Sequence, residues 1–155
     1  MIKIICIGKL KEKYIKELVN DYLKRINKYH KLELIELKDS NIENEKEEIL
    51  KYISKSDYII SLAIEGKELN TIEFKDLIEK QLNTGNSNIT FIIGGSDGIH
   101  SEIKQKSNYL LSFSKLTFPH GMFRGILLEQ IYRAFKIMKH ITNDMFFIYF
   151  FLNLW

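Results

Sequence analysis

Apolar positions along this chain switch between two spacings. Ile2 to Ile7 is an almost unbroken, largely β-branched run that ends at Gly8. A strand buried on both faces of a parallel sheet has this composition. Tyr14, Leu18, Tyr22, Ile26 and Tyr29 then recur four or three residues apart, with Lys and Glu between them, which predicts an amphipathic helix. Leu32, Leu34 and Leu37 alternate imperfectly with Glu33 and Glu36 and predict a second strand. From Asn41 to Ile53 the chain is polar, with Ile49, Leu50 and Ile53 on one side, as in a solvated helix.

The second half repeats the alternation. Tyr58 to Ile64 reads as a strand that Glu65-Gly66-Lys67 should break. Asn70 and Glu73 have capping-box spacing, and the helix they open buries Phe74, Leu77, Ile78 and Leu82 until Gly85 stops it. Ile89 to Ile93 is a fourth strand, running into Gly94-Gly95-Ser96-Asp97-Gly98 and a short helical piece. Tyr109 to Phe113 is a fifth strand. Lys115 to His120 is irregular around Pro119, the single proline, and a last helix spans about Met122 to Met138. That helix carries Leu127, Ile131, Phe135 and Met138 on one face, a surface expected to be buried against a second copy of the chain. Strands separated by helices imply one α/β domain built on a parallel sheet.

Composition narrows the class. Hydrophobic residues make up 45% of the 155 and charged residues 28%, which excludes a disordered chain. The net charge of +3 permits a nucleic-acid partner without requiring one. Cys6 is the lone cysteine, so an internal disulfide and a multi-cysteine zinc site are excluded, and a reducing, cytoplasmic setting is expected. The apolar stretch from Met145 to Trp155 is too short to span a membrane, which takes roughly 20 residues. His30, His100, His120 and His140 lack metal-ligand spacing, so no metal is expected.

Three segments carry candidate chemistry. Gly94 to Gly98 follows a strand, where open α/β sheets bind ligands, although a plain tight turn has the same composition. It lacks the spacing of a dinucleotide fingerprint and the Gly-Lys-Ser/Thr of a phosphate loop. Leu111 to His120 mixes apolar, hydroxyl and basic residues and could wall an aromatic ring system, or be a structured connection. Arg124, Glu129, Gln130, Arg133 and Lys136 form a polar stripe, equally readable as a solvated face or as a phosphate contact. Ser96, Asp97 and His100 are close in sequence, but without a nucleophile elbow they make a hydrolase remote.

Taken together, these segments resemble the RlmH family of the SPOUT superfamily. The matching pieces are Gly8-Lys9-Leu10-Lys11, the strand into Leu62 and on to Gly66-Lys67, Ile93 to Gly98, Asn108-Tyr109, Leu111 to His120, Arg124, and Leu128 to Phe135, in the family's order and spacing. The resemblance implies a SPOUT-type parallel sheet with a C-terminal trefoil knot. It implies a homodimer with shared active sites, and S-adenosylmethionine as the methyl donor. The implied substrate is N3 of a pseudouridine in 23S ribosomal RNA, within the ribosome. Carried over, the cofactor site comprises Leu62, Gly94, Phe113, Ser114, Lys115, Leu116, Thr117 and Phe118. Arg124 and Arg133 would hold RNA phosphate, and His120 and Arg124 are the candidates for the catalytic step, His120 as proton acceptor. A SPOUT enzyme acting on transfer RNA and a binding dimer with little turnover are the rivals.

Residues 1–140 are expected to form the methyltransferase domain and 141–155 an atypical apolar tail. The family ends in a Pro/Ala-Tyr-His-basic tail that reaches the active site, and no Tyr-His pair follows Met138 here. A reading-frame change near the 3′ end of the gene would produce such an ending.

Overall fold

The computed structural model describes the backbone of residues 1–86 and 88–152 and the side chains of residues 1–86 and 88–140. Five strands, β1 (Ile2–Ile7), β2 (Leu32–Leu37), β3 (Asp57–Glu68), β4 (Asn88–Ile93) and β5 (Tyr109–Ser112), form one parallel sheet in the order β2-β1-β4-β3-β5. The helices are α1 (Lys13–Ile26), α2 (Ile42–Leu50), α3 (Thr71–Asn83), α4 (Ser101–Lys106) and α5 (His120–Leu152).

The unbroken apolar run of β1 is explained by its central place in the sheet. All six of its residues are buried, with Ile2, Ile4 and Cys6 packed in the core under α1 and α5 and Ile5 and Ile7 in the core of the opposite face. Burial pushes the Cys6 thiol up to about 12, despite the nearby Arg124, so it is protonated and inert at neutral pH. α5 lies between α1 and α3 and buries Leu127, Leu128, Ile131 and Ala134 completely. The apolar face of the last helix is therefore consumed inside the chain, correcting its assignment to an interface between copies.

The capping box forms as its spacing predicts. The Asn70 side chain accepts from the Glu73 amide at 2.9 Å, and Glu73 accepts from the Asn70 amide at 2.8 Å. Gly85 follows the helix at φ +77°, a conformation that costs other residues a steric penalty.

The expected break at Glu65-Gly66-Lys67 does not occur, because β3 continues to Glu68 through a register shift in which Leu62 and Lys67 both face Leu111. A Cβ on residue 66 would stand 2.7 Å from the Leu110 carbonyl. Gly66 thus allows β5 to close on β3 rather than ending the strand. β5 itself stops at Ser112, one residue early, and α5 begins at His120 and continues beyond Met138. The side chains of the expected tail, 141–155, lie outside the described residues.

At the N-terminal ends of the strands, Lys3 and Asp57 form a buried ion pair at 2.7 Å. Burial alone would raise the Asp57 carboxyl pKa. Hydrogen bonds from Lys3, Ser54 and Asn88 outweigh it and hold the group well below the usual carboxylate range. A depressed folded-state pKa gives stability that is present above the unfolded value, about 4, and is lost as pH falls through the folded one. Thermal melts of the native protein should therefore fall steeply below about pH 4. Asp57→Asn, less stable at pH 7, should show a flatter acid limb; parallel limbs would exclude Asp57 as the cause.

Candidate active site

The C-terminal ends of β3, β4 and β5 open on one cleft of about 180 Å3. Its floor is Ile93-Gly94-Gly95 with Gly98 and Ile99. One wall is Leu62 to Ile64, and the other is the segment from Leu111 through Phe118, backed by His120 and Phe123 at the start of α5. Strand ends in an open α/β sheet leave carbonyls and amides free for a ligand, and here they are surrounded by apolar side chains.

The loop after β5 takes its shape from its own hydroxyls. Ser112 Oγ donates to the Ser114 carbonyl at 3.1 Å, and Ser114 Oγ accepts from the Leu116 amide at 2.9 Å. Phe113 is locked edge-on between Phe74 and Phe123, with centroids 5.9 and 5.2 Å away, and Phe118 stacks on Phe123 at 5.9 Å. The hydroxyl-rich, aromatic composition of this segment thus has a structural explanation as well as a ligand-binding one.

Leu62, Gly94, Phe113, Ser114, Leu116, Thr117 and Phe118 all come together at the cleft, as does His120. Lys115 is exposed in the same loop and does not line it. Gly94 is required by the protein itself, since a Cβ there would sit 2.3 Å from the Gly98 carbonyl oxygen and 2.7 Å from Ile99. A substitution at 94 would break its own loop, so it cannot isolate contact with a ligand.

Arg124 is placed differently from the expectation. It is 2% exposed, and its guanidinium is committed inside the protein: to Glu36 at 2.7 Å and to the carbonyls of Ile7 and Gly8 at 2.8 and 2.7 Å. Nη1 and Nη2 thus bond the protein itself, and Nε is buried without a partner. Arg133 is exposed and pairs with Glu129 on its own helix, at 2.9 Å from Nε. The two arginines are nine residues apart on α5 and do not share a site. Glu36, the partner of Arg124, was invisible in the sequence because 88 residues separate them.

His120 is exposed to solvent where it lines the cleft. Desolvation lowers its pKa, Arg124 lowers it further, and Asp39 opposes. A lowered pKa favours the neutral imidazole, the form that can accept a proton. His100 is engaged by Glu43 at 2.9 Å and accepts from the Glu102 amide, which caps α4 and excludes the Ser96-Asp97-His100 trio. Among the described residues no cluster has the makings of a metal site, and no helix is long and apolar enough to cross a membrane.

A family model described as predicted SPOUT methyltransferase matches residues 1–142. The chain is 48% identical to ribosomal RNA large subunit methyltransferase H of Clostridium botulinum strain Hall, over 88% of this chain and 94% of that protein. It is 49% identical to the protein of the same name from Streptococcus uberis, over 89% and 95%. Among solved structures, a probable methylase family protein from Haemophilus influenzae Rd KW20 matches with a TM-score of 0.55 at 14% identity, covering 90% of this chain and 68% of that one. This last likeness is one of fold.

Proposed function

The chain belongs to the SPOUT methyltransferase family and is an S-adenosylmethionine-dependent ribosomal RNA methyltransferase; on that premise we propose that it methylates N3 of a pseudouridine in 23S rRNA, as a homodimer acting on ribosomes. The observation that carries the site assignment is the apolar cleft at the strand ends, floored by Gly94 and walled by the loop from Phe113 to Phe118. Its lining suits the cofactor: Leu62, Phe113, Leu116 and Phe118 offer apolar walls at the strand ends. When bound, S-adenosylmethionine supplies an electrophilic methyl group. The protein's part is to align the acceptor and take up its proton. His120, at the cleft, is the residue we assign to that proton, and the exposed Arg133, paired with Glu129, is the one we assign to RNA phosphate. Arg124 has no direct part in either.

We place the trefoil knot where the chain leaves β4, crosses behind the sheet through α4, emerges at β5 beyond β3, and returns through α5 on the opposite face between α1 and α3. The dimer reading rests on a new surface. Tyr14, Leu18, Leu116, Phe118 and Met122 are all exposed, and the N-terminal half of α1 and the start of α5 are in contact where Gly125 meets Leu18 and Gly121 meets Ile15. An apolar patch of this kind marks an interface. Light scattering should return twice the 18.4 kDa chain mass, and Leu18→Lys with Met122→Lys should return the single mass. A native monomer would overturn the shared site.

The test of function is mass mapping of rRNA after adding the protein and cofactor to ribosomes from a strain lacking the activity. A net charge of +3 gives little autonomous grip on naked RNA, so intact ribosomes should be modified far better than a stem-loop transcript. Equal efficiency on the transcript would remove the ribosome from the proposal.

A further inference from the structure

Gly8-Lys9-Leu10-Lys11 is a matching segment to which the cofactor cleft assigns no role, and Arg124 is a buried cation with no ligand to hold. The two are connected. Arg124 bonds both carbonyls at the end of β1, and Glu36 Oε2 accepts from Arg124 at 2.7 Å and from the Leu10 amide at 2.9 Å. Leu10 is itself buried and packs where α5 begins, since a Cβ on Gly121 would lie 2.9 Å from it. The loop is therefore fixed at Gly8 and at Leu10, while Lys9 and Lys11 on either side of Leu10 project into solvent. Neither has an ion pair among the described residues, and Lys13, exposed in the first turn of α1, meets only Glu17 at 3.8 Å.

The loop's position is given by strand register. Cys6 lies opposite Ile93, so β1 leaves the sheet level with the Gly94 floor of the cleft, and neighbouring strands stand about 4.8 Å apart. Leu10 also touches the helical turn that carries His120.

We propose that the β1–α1 loop is a docking surface for the phosphate backbone of the RNA substrate, with Lys9 and Lys11 as its contacts and the Glu36–Arg124 pair as the device that holds them beside the cleft. The proposal rests on the methyltransferase reading given above. Arg124 then serves RNA through the loop it fixes, as a positioning residue. Lysines on a pinned loop lose less freedom on binding than lysines on a mobile one, and their charge attracts phosphate whatever the sequence. The nearest acidic groups temper but do not cancel this. Glu36 is paired with Arg124, and Glu12 stands in sequence among Lys9, Lys11 and Lys13.

The experiment compares the native full-length chain with Lys9→Gln/Lys11→Gln, titrating binding to large ribosomal subunits from 50 to 200 mM salt. Calorimetry with S-adenosylmethionine and light scattering are run on both. Each phosphate contact removed should lower the log–log salt slope by about 1. The double variant should bind subunits on the order of tenfold more weakly at the upper salt. Its cofactor affinity and mass should be unchanged. An unchanged slope and affinity would overturn the proposal while leaving the methyltransferase reading intact. A change of mass would assign the loop to contact between copies and overturn it equally. If the native chain binds no subunit and methylates none, the functional reading fails, and this inference with it.

Discussion

Arg124→Met should cost about 3 kcal/mol of folding stability, a value at the lower end for breaking a buried pair. The lower end applies because Glu36 keeps 33% of its side chain in water, whereas Arg124 keeps 2%. Methionine fills a comparable volume but takes the Arg124 donors from the Ile7 and Gly8 carbonyls and leaves Glu36 Oε2 with the Leu10 amide alone. For a domain of this length such a loss lowers the melting temperature by roughly 6–12 °C. Glu36→Gln should cost less, because its amide still offers an oxygen to the Leu10 amide. The double variant should lose less than the sum, since the two residues share one interaction. Denaturant unfolding of the four proteins measures this directly. A phosphate-binding surface arginine would behave in the opposite way, with stability unchanged and RNA affinity reduced. A loss under 1 kcal/mol for Arg124→Met would therefore restore the surface reading.

How far the sequence could be read depended on the range of the interactions involved. Patterns that act within one element were legible: the β-branched run of β1, the capping box at Asn70 and Glu73, and the stop at Gly85 all appear where their local chemistry places them. Gly66 was misread because a glycine between polar residues has the composition of a turn. Its real constraint is the β5 backbone 2.7 Å away, more than forty residues along the chain. The last helix was misread for a related reason. Its apolar periodicity was correct, but periodicity reports that a face is buried and says nothing of whether the partner is α1, α3 or another molecule.

The candidate site divides in the same way. Gly94 and the segment Phe113 to Phe118 stand out in composition, but it was the family resemblance that assigned them to a cofactor; the sheet order brings the two stretches to one cleft, with Lys115 outside its lining. Ile64 and Phe123, which also line the cleft, look like ordinary core residues in sequence. Arg124 was expected at phosphate and at the catalytic step, and it stands instead against Glu36 and the end of β1. An arginine on a helix looks the same in sequence whether it faces solvent or reaches back to β1. Only the 2.7 Å contact with Glu36 distinguishes a clamp from a phosphate ligand.

Replacing everything after Lys139 with a short tail ending in Tyr-His-Lys should raise methyl transfer by roughly 10²–10⁴, the range spanned by a positioned acid–base group. The matching family model ends at residue 142, and we accordingly propose that the methyltransferase domain closes near residue 140. Beyond it stand Phe146, Phe147, Ile148, Tyr149, Phe150, Phe151, Leu152, Leu154 and Trp155, with no Tyr-His pair. The family resemblance places such a pair at the active site, where a phenol and an imidazole could orient or deprotonate the base. Residues of the cofactor cleft all precede Met138, so S-adenosylmethionine affinity should be the same in the native and repaired chains. Nine apolar or aromatic side chains in ten positions would seek burial, and the native chain should accordingly be the more prone to aggregate. Single-turnover transfer to ribosomes, calorimetry and light scattering on the two chains separate the effects. A gain in turnover at constant cofactor affinity assigns the deficit to the tail. Equal turnover would mean that His120 and the residues around the cleft suffice for the proton and the alignment, and that the Tyr-His ending is dispensable in this chain.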